Sequence, residues 1–567
     1  MRWRTPLIIC AIIFYLLPLF QFGRFMASYP GDPYAHAASL AWFCQNAPQG
    51  IWHQPNLFTP TGVNLALTYD HPLLTLLTCP VSGFGPIAQF NLLALIQVTL
   101  IISVSIIIAT RFLKQPWLRL AFIFLYSFST FYQARANQHL NLLTLVWSIP
   151  LIFLLFYELN LKSLRSTLIA FSTLGLSFLC SWTTLPILTP LVAMLLLYHL
   201  WSTQKPHQLI PALIHLGLGA SLTLIIFLFG AWPMLESLRL SPPLPDLDRA
   251  AIWNADLVSY LIPFKFHTYF PLFRPWYQAI VTIKTHYFEP FLGLDPGLVL
   301  LAGFILFKYR RRLRLFLFDR WLLLLAIFYG LLSFGPVLTV LGRSLVNLPY
   351  YSFLASLPPF SINRSPARYG SVVIFALTLL LLRWLDRYLS HKAILVGIYA
   401  LITTTILAHN SQFPHFNYQE IFPFRGLNLI ATDPAPVMVL HLPTAVQNDQ
   451  SQNLLQYYHR HPIPTGYISY LAQTPQTLMF LANDPALSHL SCANHIFPYT
   501  LTPLLANPGQ LIQHLKSLNF KYLILNRDYL KLPECQAFAH WATTTLIPSA
   551  NLTLLDSTPA FAIYQII

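Results

Sequence analysis

The amino-acid sequence predicts a mainly α-helical, polytopic membrane protein that ends in a soluble α/β domain. Of its 567 residues, 56% are hydrophobic and 9% are charged, and the mean hydropathy is +0.57. Ordinary soluble proteins carry about 25% charged residues. Most of this chain is therefore expected to lie in lipid. This composition excludes a disordered protein, a secreted disulfide scaffold and an ordinary soluble enzyme.

About eleven apolar runs approach the roughly 20 helical residues that cross a bilayer core. The predicted spans are 6–23, 86–110, 117–133, 141–158, 166–181, 184–201, 209–232, 290–307, 318–335, 369–384 and 393–409. The first run, Pro6 to Phe22, exceeds a usual signal-peptide core, and no small-residue cleavage pattern follows it directly. We therefore interpret it as a retained helix.

Lys and Arg fall in one alternating set of loops, which predicts the orientation. Basic clusters lie near residues 2–4, 111–119, 162–165, 205, 308–314 and 383–392. The positive-inside rule makes these loops cytoplasmic and the segment after residue 410 exterior. The formal charge of +15 therefore reflects membrane orientation. No nucleic-acid partner is expected, because the basic residues do not build one folded basic face.

The sequence predicts two domains, a transmembrane domain over residues 1–410 and a periplasmic α/β domain over 411–567. Three exterior loops, 24–85, 233–289 and 336–368, are too long to be simple turns, and long loops on one side usually hold function. The expected location is a bacterial inner membrane, with the N-terminus cytoplasmic.

The tail alternates strand-like and helix-like patterns. Strands are predicted over 436–442 and 521–525, helices over 451–460 and 509–518, and a closing hairpin from 552–555 and 561–566. About 155 residues suffice for a separate core.

Two cysteine pairs fall in predicted exterior segments. Cys44 and Cys79 lie in the first loop, and Cys492 and Cys535 lie in the tail. Disulfides would suit an oxidising compartment. The alternative is that these are four small apolar residues without a bond.

Asp32 follows the first predicted helix, in Tyr29-Pro30-Gly31-Asp32-Pro33-Tyr34. A carboxylate at the lipid boundary is partly desolvated, which raises its basicity, so it can take a proton from an acceptor hydroxyl. Asp before Pro is also a favoured start of a helix. Asp32 can therefore be a base or a helix cap.

Further motifs occur in a recognisable order. They are Asn56-Leu57-Phe58-Thr59-Pro60-Thr61-Gly62-Val63-Asn64-Leu65, Gln138-His139-Leu140-Asn141, Phe334-Gly335-Pro336 and Asn363-Arg364-Ser365-Pro366-Ala367-Arg368. Together with Asp32, this layout over about residues 1–410 resembles the GT-C class of polytopic glycosyltransferases, specifically bacterial members with a soluble exterior tail.

The resemblance implies sugar transfer at the outer membrane face from a polyprenyl-phosphate-linked donor to a glycan, lipid or protein acceptor. It implies that Asp32 is the base, with Asp70 in Tyr69-Asp70-His71 as a second acidic candidate. His36 and His71 are expected as accessory residues. Asp70 can instead be a turn residue before Pro72. A divalent metal ion is left open by the resemblance, since some relatives use one and others do not.

Exterior cations are candidates for the lipid phosphate, because the positive-inside rule disfavours them at this side. Arg364 and Arg368 are four residues apart and would share a face if their segment is helical, with Arg135 and His139 as further contributors. Snorkelling of Arg to lipid headgroups is the alternative.

The 233–289 loop carries Asp256 and Glu289 as possible accessory acids among Tyr, Phe and Trp residues. These aromatics can line a sugar or lipid groove, or form an interfacial belt.

Three function classes compete. An inverting glycosyltransferase is favoured by Asp32 and the exterior Arg and His residues. A transporter or flippase should show charges in mid-membrane and inverted repeats, which these spans lack. A non-catalytic membrane scaffold would have lost Asp32, which is present.

Overall fold

The computed structural model describes most of the chain in segments. The described residues are 33–46, 53–65, 71–136, 139–202, 206–240, 247–263, 265, 269–283, 291–311, 316–357, 360–388, 424–444, 451–466, 475–492, 499–549 and 551–567. The predicted spans 6–23 and 393–409 and the predicted domain boundary at 410 lie outside these residues.

The N-terminal part is mainly helical. In chain order it contains α1 (Pro33–Asn46), β1 (His53–Gln54), β2 (Val63–Asn64), α2 (Pro72–Thr78), α3 (Pro86–Phe112), α4 (Pro116–Ser127), α5 (Thr130–Ala136), α6 (Leu143–Tyr157), α7 (Leu164–Cys180), α8 (Leu185–Ser202), α9 (Pro206–Leu240), α10 (Leu247–Ile252), α11 (Phe270–Ile283), α12 (Pro296–Tyr309), α13 (Leu317–Ser333), β3 (Val337–Val340), β4 (Arg343–Asn347), α14 (Pro349–Ala355) and α15 (Gly370–Tyr388). Several helices begin with Pro at the first position, where its missing N–H and fixed φ fit the helix start.

The membrane character predicted from composition is visible in the helices. Among the described residues, five stretches are long and apolar enough to cross a bilayer, and each matches a predicted span: Pro86–Phe112, Leu140–Tyr157, Trp182–Leu200, Ile210–Trp232 and Pro366–Tyr388. The predicted spans 166–181 and 290–307 correspond to the shorter apolar helices α7 and α12. The count of eleven spans stays a prediction. The predicted span 117–133 is divided into α4 and α5.

Two neighbouring helices, α3 and α6, run parallel in constant register. Gln97 on α3 donates to the Thr144 hydroxyl of α6 at 2.9 Å, and Arg111 pairs with Glu158. Both contacts join residues 47 positions apart. Because the offset is the same at both contacts, α6 runs alongside the C-terminal half of α3 in the same direction, and the two helices end together.

An ion-pair cluster fixes one end of the helix bundle. Asp319, at the start of α13, is fully buried and accepts from Arg383 Nε at 3.1 Å and Arg387 Nη1 at 2.8 Å. Arg383 also donates to the Phe112 carbonyl at the end of α3. The two arginines belong to the basic cluster at 383–392 that is predicted as cytoplasmic. The opposite ends of the same helices therefore carry the loops predicted as exterior.

The C-terminal part is an α/β unit. It contains α16 (Arg425–Ala431), β5 (Met438–Leu442), α17 (Ser451–His459), α18 (Pro475–Asn483), α19 (Pro503–Ala506), α20 (Pro508–Ser517), β6 (Phe520–Asn526), α21 (Gln536–Trp541), β7 (Leu552–Ser557) and β8 (Phe561–Ile566). Its sheet has the order β5-β6-β8-β7, with β5 and β6 parallel and the other pairs antiparallel. The predicted strands, both predicted helices and the closing hairpin are confirmed, each within a few residues.

Both cysteine pairs that the sequence offered as possible disulfides are bonded. Cys44 is bonded to Cys79, and Cys492 to Cys535. The first bond ties α1 to the 3-10 helix that follows α2. The alternative of four unbonded cysteines is wrong for these positions.

The first predicted exterior loop and the tail share an interface. The Phe58 and Thr59 N–H groups donate to the carbonyls of Thr465 and Ile463 at 3.3 and 3.1 Å. The Ile463 N–H donates back to the Asn56 carbonyl at 2.9 Å. Three backbone hydrogen bonds thus hold the tail against this loop.

The tail core contains a buried histidine pair that predicts acid sensitivity. Nε2 of His441 lies 3.1 Å from Nε2 of His459, and burial lowers the pKa of His441 to about 3. Burial, followed by the neighbouring His441, lowers the pKa of His459 well below its usual value. In the unfolded chain both rings protonate near pH ~6.5, so unfolding takes up protons below that pH. The contribution of each ring to the free energy of unfolding is fully present above pH ~6.5. It decreases as the pH falls towards 3, by up to about 1.4 kcal/mol per pH unit for each ring.

The measurement is thermal unfolding of the detergent-purified protein between pH 7.5 and pH 5. We expect His441→Gln to reduce the acid-induced fall in Tm relative to wild type. His540→Gln, at an exposed position, should keep the wild-type pH dependence. Equal slopes for His441→Gln and wild type would contradict the prediction.

Candidate functional site

The three predicted carboxylates Asp32, Asp70 and Glu289 lie outside the described residues, but their neighbours are described. α1 begins at Pro33, directly after Asp32, and α2 begins at Pro72 with His71 in the position before it. The first turns of α1 are buried, with Tyr34 at 2% exposure. Pro33 is the first described residue of this region, and both interpretations of Asp32 stay predictions.

The two loop segments that follow Asp32 and Asp70 meet in space. The rings of His36 on α1 and His71 lie 5.7 Å apart between centroids, and His71 is fully buried. Their approach is supported by the Cys44–Cys79 disulfide, which joins the same two segments. The accessory histidines predicted from sequence are thus neighbours.

Arg364 and Arg368 occupy different environments. The guanidinium of Arg364 lies 4.8 Å from the ring centroid of Trp253, and Arg368 is 8% exposed in a 3-10 helix, Pro366–Tyr369. The helical segment that would place both on one face does not extend to Arg364. Ser365 is extended (φ −118°, ψ 94°), as expected for a residue before proline.

The segment that bears these arginines packs on the 253–260 region. The Ser365 hydroxyl donates to the Trp253 carbonyl at 3.2 Å, and the Asn254 amide donates to the Phe334 carbonyl at 2.7 Å. The loops predicted at 233–289 and 336–368 therefore converge. The sequence analysis did not identify Trp253 as a candidate site residue. The feature that could have identified it is an aromatic residue in a loop that also carries charged residues.

Arg135 and His139 lie at the end of α5 and just after it. Arg135 is fully buried, its guanidinium carbon lies 3.8 Å from the centroid of Phe131, and its carbonyl accepts from the His139 N–H at 2.8 Å. His139 is half-buried. Its Nη1 donates to the Phe131 carbonyl at 3.3 Å, so this buried guanidinium is hydrogen-bonded, as buried charges normally are.

One short segment, residues 291–294, links α5 to the start of α15. Gly293 has φ +32°, and a Cβ there would overlap the Thr130 hydroxyl of α5. A Cβ on Gly370, two residues after Arg368, would overlap Leu292. Arg135 and Arg368 therefore lie on elements that pack against the same segment.

Asp256 is buried and held by the backbone. Its carboxylate accepts N–H groups of Val258 at 2.9 Å, Leu341 at 3.1 Å and Gly342 at 2.8 Å. Gly342 has φ +80°, which favours glycine at this turn. These bonds fix the turn between β3 and β4; an accessory acid role for Asp256 stays a prediction.

A cavity of about 590 Å³ opens between the first loop and the tail. It is lined by α1, the 54–57 segment, the start of α3 and α17. Gln54 donates to the Gln456 side chain at 3.1 Å across its wall, and Gln45 donates to the Tyr457 hydroxyl at 2.8 Å. The cavity lies next to α1, which follows Asp32.

A metal site is not visible in the part of the chain that the structure describes, where no three His, Cys, Asp or Glu residues are grouped to hold an ion. Asp32 and Asp70 lie outside that part. The dependence on a divalent metal ion therefore stays open.

The comparisons place the chain in a family and a fold class. The chain belongs to a family described as a domain of unknown function, DUF6311, which matches residues 5–406. A comparison with curated proteins gives no match. The arabinofuranosyltransferase AftD from mycobacteria aligns over 99% of this chain and 40% of its own, with 12% identity and a TM-score of 0.57. A mutant form of AftD gives 12% identity, 99% and 41% coverage and a TM-score of 0.59.

A further solved structure, ArnT from Cupriavidus metallidurans bound to undecaprenyl phosphate, aligns over 99% of this chain and 98% of its own, with 14% identity and a TM-score of 0.42. This chain spans about 40% of the length of AftD. At such low identity the likeness to AftD shows the fold alone. The protein is thus a polytopic membrane protein with a GT-C-like fold, as the sequence predicted, and it carries a C-terminal α/β region.

Proposed function

We propose that the protein is an inverting membrane glycosyltransferase that acts at the exterior, periplasmic face of a bacterial inner membrane. Its donor is a sugar linked to polyprenyl phosphate. Asp32 takes the proton from an acceptor hydroxyl, the acceptor oxygen bonds to the anomeric carbon, and the bond between that carbon and the phosphate oxygen breaks. The polyprenyl phosphate leaves as an anion. Asp70 is the second acidic candidate.

One observation carries the proposal: the described candidate side chains that precede α3 and α15 lie on the side of the bundle away from its basic end. Helices α3 and α15 have their C-terminal ends joined by Arg383 and Phe112. Their N-terminal ends therefore both point away from this junction, with α1 beside the start of α3 and Arg368 just before α15. The GT-C-like fold supports the same interpretation.

The donor phosphate is assigned to the exterior cations. Arg368 and Arg135 are buried, and Arg364 stacks on Trp253. Guanidinium groups suit this task because their planar donors match phosphate oxygens in pairs, and because Arg keeps its charge when buried. His139 is assigned as a further contributor to phosphate binding. His36 and His71 are assigned as accessory residues that can donate or accept a proton.

The experiment that tests the function is a transfer assay with the full-length protein in lipid nanodiscs. Polyprenyl phosphates charged with different hexoses and pentoses are supplied with neutral oligosaccharide acceptors. We expect release of polyprenyl phosphate and a lengthened acceptor with at least one donor. A protein that releases no polyprenyl phosphate from any donor and extends no acceptor would contradict the proposal.

Arg→Lys variants test the phosphate assignment. We expect Arg364→Lys and Arg368→Lys to weaken binding of polyprenyl phosphate, because the ammonium keeps the charge but loses the paired donors. Binding is measured to protein in nanodiscs, beside the Ala variants. Arg343→Lys, at an exposed position of β4, is the matched control and should bind like wild type. Full binding with Lys at both positions, or with Ala at both, would make the two arginines anchors in the interface.

A further inference from the structure

The cavity between α1 and α17 is built from neutral polar side chains. Six amides line it: Gln45, Asn46, Gln54, Asn56, Asn453 and Gln456. Arg460 supplies a positive charge, and the described lining contains no carboxylate. Each amide presents both a donor and an acceptor, which is the pairing that a sugar hydroxyl requires.

Aromatic side chains complete the wall. Trp42 from α1 faces the cavity with Tyr457 and Tyr458 from α17. Such rings offer flat apolar surfaces with polar edges, and they suit a ligand that has both apolar C–H faces and hydroxyl groups. The volume of about 590 Å³ falls in the range of about 300–1,000 Å³ that is usual for ligand sites.

Two polar atoms in this wall lack a partner among the described residues. They are Oε1 of Gln54 and Nε1 of Trp42, and both atoms are buried. Gln54 is 4% exposed, and its Nε2 is already used by Gln456. Buried polar groups in native proteins are normally hydrogen-bonded, and leaving one unpaired costs free energy. The wall of the cavity therefore holds one acceptor and one donor whose hydrogen bonds the described residues do not supply.

We propose that this cavity binds a neutral saccharide, the acceptor of the transfer reaction, and that the C-terminal region supplies one wall of the site through α17 and Arg460. The inference rests on the proposed function, and it assigns the tail a direct part in substrate recognition. From α1 the cavity takes residues of the C-terminal half, between Ala38 and Asn46.

Binding is measured with the full-length Asp32→Asn protein, so that no transfer occurs. The probes are neutral oligosaccharides of hexoses, pentoses and N-acetylhexosamines printed on a glycan array. Uronic acid oligosaccharides on the same array are the negatively charged comparison. The tightest neutral probe is then titrated. We expect Gln54→Leu to weaken its binding about tenfold or more, because an amide that pairs with the ligand is removed.

Two milder variants guard against a folding defect in Gln54→Leu. Gln45→Ala lies at an exposed position, and Tyr457→Phe removes one hydroxyl, so both should fold normally and still weaken binding. Gln510→Leu, an exposed amide on α20, is the matched control and should bind like wild type.

The outcomes separate this inference from the proposed function. Binding that is lost in the cavity variants supports the inference even if no donor is ever turned over. Transfer by wild type together with unchanged saccharide binding in all three variants would overturn the inference and leave the glycosyltransferase assignment standing. No binding of any printed saccharide, or a preference for the uronic acid probes, would also overturn it.

Discussion

Asp32→Asn is expected to lower the rate of sugar transfer by about 10² to 10⁴-fold while the protein accumulates normally. Asn has the same shape as Asp and caps helices equally well, so α1 should still begin at Pro33. What Asn lacks is the ability to take a proton from the acceptor. The rate is measured as release of polyprenyl phosphate at saturating donor, with protein level and Tm recorded beside it.

The control for this variant is another acidic residue in a predicted exterior loop. Asp248, in the first turn of α10, is exposed, and Asp248→Asn should transfer at the wild-type rate. An Asp32→Asn protein with full activity would remove the catalytic assignment. Poor accumulation with a normal rate per folded molecule would instead support the helix-cap interpretation.

Much of the fold can be predicted from hydrophobic patterning, because the apolar positions of a strand or helix are the positions that become buried. The tail shows this clearly. The run that contains β5 is apolar because Val439 and Leu440 are both fully buried. β8 is also mostly buried and is bounded by the Ser-Thr-Pro turn, and the predicted hairpin forms there. These signals are local, so one sequence suffices to find them.

The candidate site is less accessible to sequence reasoning, because its contacts join distant residues. Gln54 and Gln456 are 402 positions apart, and no local pattern pairs them. Trp253 contacts Arg364 because two loops that are distant in sequence pack together, and no local pattern predicts that packing. The extended conformation at Ser365, by contrast, could have been inferred from Pro366, since a residue before proline avoids the α region.

The buried Asp319 was also missed, although a signal was present. A single acidic residue at the edge of an apolar run needs a partner, and Arg383 and Arg387 are the partners, 64 and 68 positions away. Sequence can identify the residue that needs a partner. It cannot choose between the many basic residues of the cytoplasmic loops.

Asp319→Ala is expected to cost about 3–5 kcal/mol in the free energy of unfolding. The carboxylate is fully buried, and the side chains of Arg383 and Arg387 are 19% and 27% exposed. Removing Asp319 takes the carboxylate away from both guanidiniums, which are largely buried and then lack a counter-charge. The measurement is unfolding of the purified protein in detergent, compared with Asp528→Ala, which breaks the surface pair with Lys531. That control should cost less than about 1 kcal/mol.

The same variant separates stability from chemistry. The Asp319 cluster lies at the end of the bundle opposite to α1 and Arg368, so the transfer rate per folded molecule should be close to wild type. A triple variant, Asp319→Leu with Arg383→Met and Arg387→Met, removes the unpaired charges and should recover much of the lost stability, because a buried ion pair is often replaceable by apolar packing. Wild-type stability of Asp319→Ala would show that the cluster does not hold the bundle together. A large loss of rate in well-folded protein would place Asp319 in the chemistry rather than in the scaffold.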